Sequence, residues 1–200
     1  TFVPSFLSLE EISTAVSEGA RLGIPTAAHC IGGQGLKDCI DGGVDVIEHM
    51  YMAAEQDVER LAASRCVVDL TSGIFLDPSR EEFLSPANAL KVRLNRSRVR
   101  ENVARIIKAR LPFVLGTDAY HGFLYREVGY AVELGADPVT AIQGVTSRAA
   151  RVCRLEDRIG KLENGMEADI IAVEGNPLED VSRLSQVGLV MKGGVVYRQP

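Results

Sequence analysis

Short runs rich in Val, Ile, Leu and Ala recur along this chain between segments whose apolar residues repeat at the helical period, and that alternation constrains the fold more than any other feature. Ser8-Leu9-Glu10-Glu11 has the Ser-x-x-Glu spacing of a capping box, and Ile12, Ala15, Val16 and Ala20 follow at helical spacing. A first helix therefore runs to about Leu22, where Gly23 closes it, and residues 24–29 form a short apolar strand. The same succession gives a helix over 34–40, a strand over 44–49, a helix over 56–64 and a strand over 66–71. A strong helix over 97–110 and a strand over 113–118 complete it. Four such strands separated by helices predict parallel βα units buried on both faces, with right-handed crossovers.

Residues 72–96 are too long for an ordinary connection and hold Gly73, Pro78 and Pro86, so they read as a loop over a site. Asp137-Pro138 places an N-cap before a proline at the first helical position, and a helix follows through Ala141, Ile142, Val145 and Ala149 to about Cys153. Beyond it the period changes. Residues 168–174 and 187–196 read as strands, with Asn164-Gly165 and Gly193-Gly194 as tight turns. The expected division is a domain of parallel βα units over 1–154 and a small β subdomain over 155–200.

A composition of 46% hydrophobic and 24% charged residues is that of a globular domain and excludes disorder. The net charge of -5 comes without a Lys/Arg block able to follow a phosphate backbone, so no nucleic-acid partner is expected. No apolar run has the roughly 18 to 20 residues of a membrane-spanning helix, so no membrane partner is expected either. Cys30, Cys39, Cys66 and Cys153 form no CxxC pair and lie in or beside apolar runs, as buried free thiols of a reducing, cytoplasmic compartment would. The chain begins at Thr1 only a few residues before a helix signal, and reads as a truncated segment.

Two of the three histidines, His29 and His49, end predicted strands, and Asp118 ends a third. In barrels of parallel strands the catalytic groups project from the C-terminal strand ends. Imidazole nitrogen and carboxylate oxygen suit Zn²⁺, which lowers the pKa of a coordinated water to about 7. Asp118 could take a proton from such a water and hand it to a departing amine. Singly, each residue has an ordinary reading as a hydrogen-bonded or capping side chain. Their joint placement on three strand ends makes them a candidate site. Glu48, next to His49, points away from the barrel interior by strand alternation and reads as a structural acid paired beneath the helices. Gly32, Gly33 and Gly35 fit no phosphate-loop spacing and read as a tight turn past the site.

Ala28-His29, Gly32-x-x-Gly35, Gly43-Val44-Asp45-Val46-Ile47-Glu48-His49, Gly116-Thr117-Asp118-Ala119-x-His121-Gly122, Gly160-x-Leu162-x-x-Gly165-x-x-Ala168-Asp169 and Gly175-Asn176-Pro177-Leu178 occur in this order along essentially the whole chain. Together they resemble the amidohydrolase superfamily, in its imidazolonepropionase-like and Xaa-Pro dipeptidase branch. The resemblance implies an α/β fold: the C-terminal half, strands five to eight, of a metal-dependent hydrolase (β/α)8 TIM barrel, plus part of a small β-sandwich subdomain. It implies that His29 and His49 end strands five and six and bind one metal of a binuclear pair, zinc by expectation. Asp118, ending strand eight, would bind the other metal and shuttle protons, and His121 would contact substrate. The family's His-x-His on strand one and carboxylated lysine on strand four have no counterpart here and would lie upstream of Thr1. The implied reaction is hydrolysis of an amide or peptide-like C–N bond of a small molecule through a metal-activated hydroxide, with this chain inactive alone. A deaminase or cyclic-imide hydrolase on the same barrel, or a non-catalytic scaffold, are the alternatives. Retention of all three ligands argues against the scaffold. Two open sheet edges add an expectation of homo-oligomers.

Overall fold

A computed structural model describes residues 4–118 and 121–199. In it four strands, β1 (Ala27–Cys30), β2 (Val46–His49), β3 (Val67–Leu70) and β4 (Phe113–Leu115), lie side by side in chain order and all parallel. Helix α1 (Leu9–Leu22) precedes them, α2 (Gly33–Asp41) and α3 (Glu55–Ala62) cross between the first three, and α4 (Gly73–Leu76) and α5 (Pro86–Lys108) join β3 to β4. The capping box forms: Glu11 N–H donates to Ser8 Oγ, and Ser8 N–H donates to the Glu11 carboxylate. Gly23 closes α1 with φ 72°, as expected.

Strand register sorts the two faces of the sheet. Ile47, Val68, Leu70, Phe113 and Leu115 join Leu36, Leu61, Val99, Val103 and Ile106 of the flanking helices in one buried cluster. Each such side chain, fully buried, contributes about 1.5 to 3 kcal/mol. On the opposite face His29, Glu48, Asp69 and Val114 are successive partners across the four strands. That face is the one a closed barrel turns inward.

Two sequence expectations change here. Residues 72–96 are not a loop: α4 and a 3-10 turn (Pro78–Phe83) lead into α5, which starts at Pro86 instead of near Ser97. Ser85 caps it by accepting from Asn88 N–H, and Pro86 sits at the first helical position, where its missing N–H costs nothing. The exposed Leu90 and Leu94 obscure the period that buried Ala89 and Val92 carry. The helix expected to run from Pro138 to about Cys153 is two, α7 (Pro138–Gly144) and α8 (Ser147–Val152), after α6 (Leu124–Glu133). The break falls at Thr146, whose φ of -131° and ψ of -103° are not helical.

The rest of the chain forms a separate antiparallel sheet of β5 (Ile170–Val173), β6 (Val187–Lys192) and β7 (Val195–Arg198). Residues 187–196, expected as strand with a tight turn at Gly193-Gly194, are the two strands β6 and β7 joined at that turn, with φ 55° and 79°. Cys30, Cys39 and Cys66 are buried free thiols, whereas Cys153 at the end of α8 is exposed, contrary to expectation. Among the described residues no helix is long and apolar enough to cross a membrane.

Candidate metal centre

The C-terminal ends of β1 and β2 bring His29 and His49 together. Their rings stack with centroids 4.8 Å apart and 13° between planes, and His29 Nδ1 lies 2.6 Å from His49 Nε2. Glu48 Oε2 lies 2.9 Å from the same His29 nitrogen. One donor atom from each of His29, Glu48 and His49 lies within 4.8 Å of the others, a group that could hold a divalent metal.

Glu48 is therefore not a structural acid beneath the helices. It is the register partner of His29 on one side and of Asp69 on the other, so all three side chains share the inward face. Alternation would turn His49 away from that face. His49 has φ 80° and Met50 φ 51°, and this left-handed pair ends the strand and swings the His49 ring back beside His29. Two consecutive residues thus serve one site, at the cost of local strain of the kind found at functional positions.

His49 is buried, and burial pushes its imidazole below the ordinary value; Asp118 pulls it up, His29 pushes it down and Glu48 pulls it up. A neutral imidazole is the form that ligates a metal. Behind the ring, His49 Nδ1 lies 2.7 Å from Thr71 Oγ1, just past the end of β3. Tyr51 donates its phenol hydrogen to the Thr71 carbonyl at 2.8 Å. His29, in contrast, is largely exposed.

Asp118 lies three residues past the end of β4, exposed and with φ 47°, where its charge acts on His49 and Asp69. Its segment is anchored from below. Arg80 donates to the Thr117 carbonyl at 3.3 Å and to Glu127 Oε1 at 3.0 Å, and both Arg80 and Glu127 are fully buried. Glu127 also accepts from Gly73 N–H at 3.0 Å. A Cβ at Gly73 would run into both charged groups, so only glycine fits there. Asp77 joins the same network directly, its Oδ2 lying 3.8 Å from Arg80 Nε, and it also accepts from Ser79 and Arg126.

Asp69, a charged residue inside an apolar run, joins the inward face as the register partner of Glu48 and is a site residue beyond those the sequence pointed to. Its Oδ1 is buried and has no hydrogen-bond partner among the described residues. Burial pushes its carboxyl up to about 6, with Glu48 and Asp118 adding to the shift. Gly116 leaves room for it: a Cβ there would come within 2.9 Å of Asp69 Oδ2. His121 opens a short 3-10 turn, but its side chain, like Ala119 and Tyr120, falls outside the described residues.

The donor types, imidazole and carboxylate, fit a divalent metal ion. Zn–N bonds of about 2.0 to 2.1 Å in a tetrahedral shell set neighbouring nitrogens about 3.3 Å apart, so binding would open the present 2.6 Å contact by less than about 1 Å. The cavity of about 500 Å³ at the opposite end of the sheet, among Val46, Val67, Val114, Arg65 and Arg110, includes none of these donors.

Four parallel βα units with such donors at their C-terminal ends define part of a (β/α)8 barrel with its site where barrel enzymes carry it. The chain belongs to the amidohydrolase family, whose model matches residues 5–197. It is 33% identical to the ochratoxinase of Aspergillus niger over 98% of this chain and 43% of that protein. It is 23% identical to an imidazolonepropionase of Desulfotalea psychrophila over 84% of this chain and 38% of that protein. A crystal structure of a Xaa-Pro dipeptidase with methionine bound in its active site superposes with a TM-score of 0.87 at 30% identity, covering 96% of this chain and 49% of the other. The structure of the A. niger ochratoxinase superposes with a TM-score of 0.82 at 30% identity, covering 97% and 46%. The chain thus spans less than half the length of these relatives.

Proposed function

We propose that the protein carrying this chain hydrolyses a C–N bond in a small amide or dipeptide-like substrate, at a centre where His29 and His49 hold a divalent metal, zinc by preference, and Asp118 serves a neighbouring metal position and moves the proton. The observation that carries this reading is the approach of His29 Nδ1 to within 2.6 Å of His49 Nε2, with Glu48 Oε2 2.9 Å from the same His29 nitrogen. Kinship with an ochratoxinase and structural likeness to a Xaa-Pro dipeptidase support an amide-type substrate.

A metal bound there supplies Lewis-acid chemistry, polarising the carbonyl and lowering the pKa of water. The chain's own residues do the rest. Glu48, already on His29, offers a third donor or orients that ring. Asp118, exposed at the mouth, accepts a proton from the attacking water and returns it to the departing amine. His121, on the segment after Asp118, is assigned to substrate contact. Residues 1–154 form the barrel part and 155–200 part of a smaller β subdomain. The chain, which spans less than half the length of its relatives, is inactive alone in this reading.

The test uses the full-length protein, with bound metal measured and activity followed on Xaa-Pro dipeptides and N-acyl amino acids. His49→Ala should lose metal and activity together. Asp118→Asn should keep metal on the histidine pair while kcat falls about 10²- to 10⁴-fold, the usual worth of a positioned proton-transfer group. Turnover that survives both chelation and His49→Ala would sink the reading.

A further inference from the structure

Behind His49, three buried groups are linked so that each hydrogen has one place to go. Thr71 Oγ1 lies 2.7 Å from His49 Nδ1 and 2.6 Å from the Tyr51 phenol oxygen, which lies 2.8 Å from the Thr71 carbonyl oxygen. A carbonyl only accepts, and a phenol has one hydrogen, so Tyr51 donates to the carbonyl. The phenol oxygen must then accept from the Thr71 hydroxyl, which spends its only hydrogen there. Thr71 Oγ1 is left with lone pairs toward His49, and a bare Nδ1 at 2.7 Å would be repelled. His49 Nδ1 therefore carries the hydrogen and donates, which leaves Nε2 bare and pointing at His29.

The reverse order is worse on each count. Thr71 would donate to Nδ1 and Tyr51 to Thr71 Oγ1, so the phenol and carbonyl oxygens would face each other at 2.8 Å with no hydrogen between them. His49 Nε2 would then carry a hydrogen and could not take a cation. Tyr51 is itself fixed: Asn102 of α5 donates to its carbonyl at 2.7 Å, its ring stacks on His49 with centroids 5.3 Å apart, and Phe75 meets it edge-on at 4.6 Å.

We propose that Thr71 and Tyr51 are positioning residues that lock His49 in its Nδ1–H tautomer and so hold Nε2 ready for a divalent cation. The proposal rests on the metal reading above. Partners behind a ligating histidine fix which nitrogen is free, and their loss typically costs about 10- to 100-fold in metal affinity.

The experiment compares full-length wild type with Thr71→Val, Thr71→Ser and Tyr51→Phe. Zn²⁺ affinity is read by competition with a chromogenic chelator, the His49 tautomer by ¹⁵N NMR of metal-free protein labelled at histidine, and folding by thermal melting. Thr71→Val should weaken Zn²⁺ binding about 10-fold or more and turn the single His49 tautomer into a mixture. Thr71→Ser keeps the hydroxyl and should restore both readouts. Tyr51→Phe frees the Thr71 hydroxyl to donate to Nδ1, so it too should mix the tautomers, and it carries the test if Thr71→Val does not fold. Wild-type affinity and one unchanged tautomer in the folded variants would overturn the proposal alone. Wild type that binds no Zn²⁺ would remove the metal reading, and this role with it.

Discussion

The parallel and antiparallel sheets of this chain are stabilised by opposite means. Around β1–β4 the apolar side chains are covered and charged ones are buried with them: Arg80 and Glu127 have no exposure at all, and Asp77 has 4%. Among the described residues none beyond Ala150 is buried, and Ile171, Val195 and Tyr197 stand 56%, 57% and 73% exposed. The smaller sheet relies on its ladder and on surface contacts, such as Lys192 Nζ to Asp169 at 2.7 Å and Gly193 N–H to Asp169 at 2.8 Å. Chemistry needs charges held where water does not screen them, and only the first region has the packing to do that. The second leaves Ile171, Val195 and Tyr197 facing solvent beside charged partners such as Lys192.

The sharpest way to break that contrast is to remove one charge from each region. Arg80→Met leaves Glu127 uncompensated in the core and should cost about 3 to 5 kcal/mol in denaturant unfolding. Lys192→Met removes one end of an exposed pair and should leave the unfolding midpoint where it was. Equal losses would mean that the two regions are not differently built. Because Arg80 also holds the Thr117 carbonyl, its variant should lower activity of the full-length protein further than its loss of folded fraction explains.

An acid titration gives a smaller effect of the same origin. Burial pushes the Asp77 carboxyl up, but the Ser79 and Arg126 hydrogen bonds outweigh it and leave the group lowered. A folded pKa below the unfolded one adds stability that is complete above the ordinary carboxylate value of about 4 and is lost as pH falls through the folded value. Asp77→Asn should therefore flatten the acid arm of stability against pH and change little on the neutral side apart from a constant offset. Asp169→Asn, at an exposed pair, should leave that arm nearly unaltered. An unchanged acid arm in Asp77→Asn would show that the buried network does not depend on this charge.

Local signals gave much of the frame. The Ser8 capping box, the Asp137-Pro138 start and the Gly193-Gly194 turn are short-range chemistry, and each stands where its residues predict. Failures came where geometry overrides a rule or where contacts span the chain. Alternation counted from His49 turns Glu48 outward, but the His49 φ of 80° breaks the alternation and Glu48 faces inward. Pro86 by itself signals a loop, whereas Ser85 before it makes it a helix start. Arg80 meets Thr117 and Glu127, 37 and 47 positions away, and Thr71 meets His49 22 positions away. No window of sequence contains those pairs, so His29, His49 and Asp118 are legible as candidate ligands, whereas Glu48 and the residues that hold the ligands are not.

The smallest expected effect is the one that most sharpens the contrast. Ile171 lies in β5, and more than half of its surface is exposed. Replacing it with lysine exposes no new apolar area and buries no charge within this chain, so the isolated chain should lose no more than about 0.5 kcal/mol, the usual range for surface substitutions. The same change replaces an exposed apolar side chain with the kind of charge that discourages sheet-to-sheet association. Sedimentation of the isolated chain should therefore move toward monomer in Ile171→Lys while denaturant unfolding at low concentration stays put. In the full-length protein the substitution should cost more than it does in the isolated chain, because a layer covering this sheet would have to accept a buried ammonium. A loss well above about 1 kcal/mol in the isolated chain would show that its own residues already cover Ile171, and the small sheet would then be a packed unit like the parallel one.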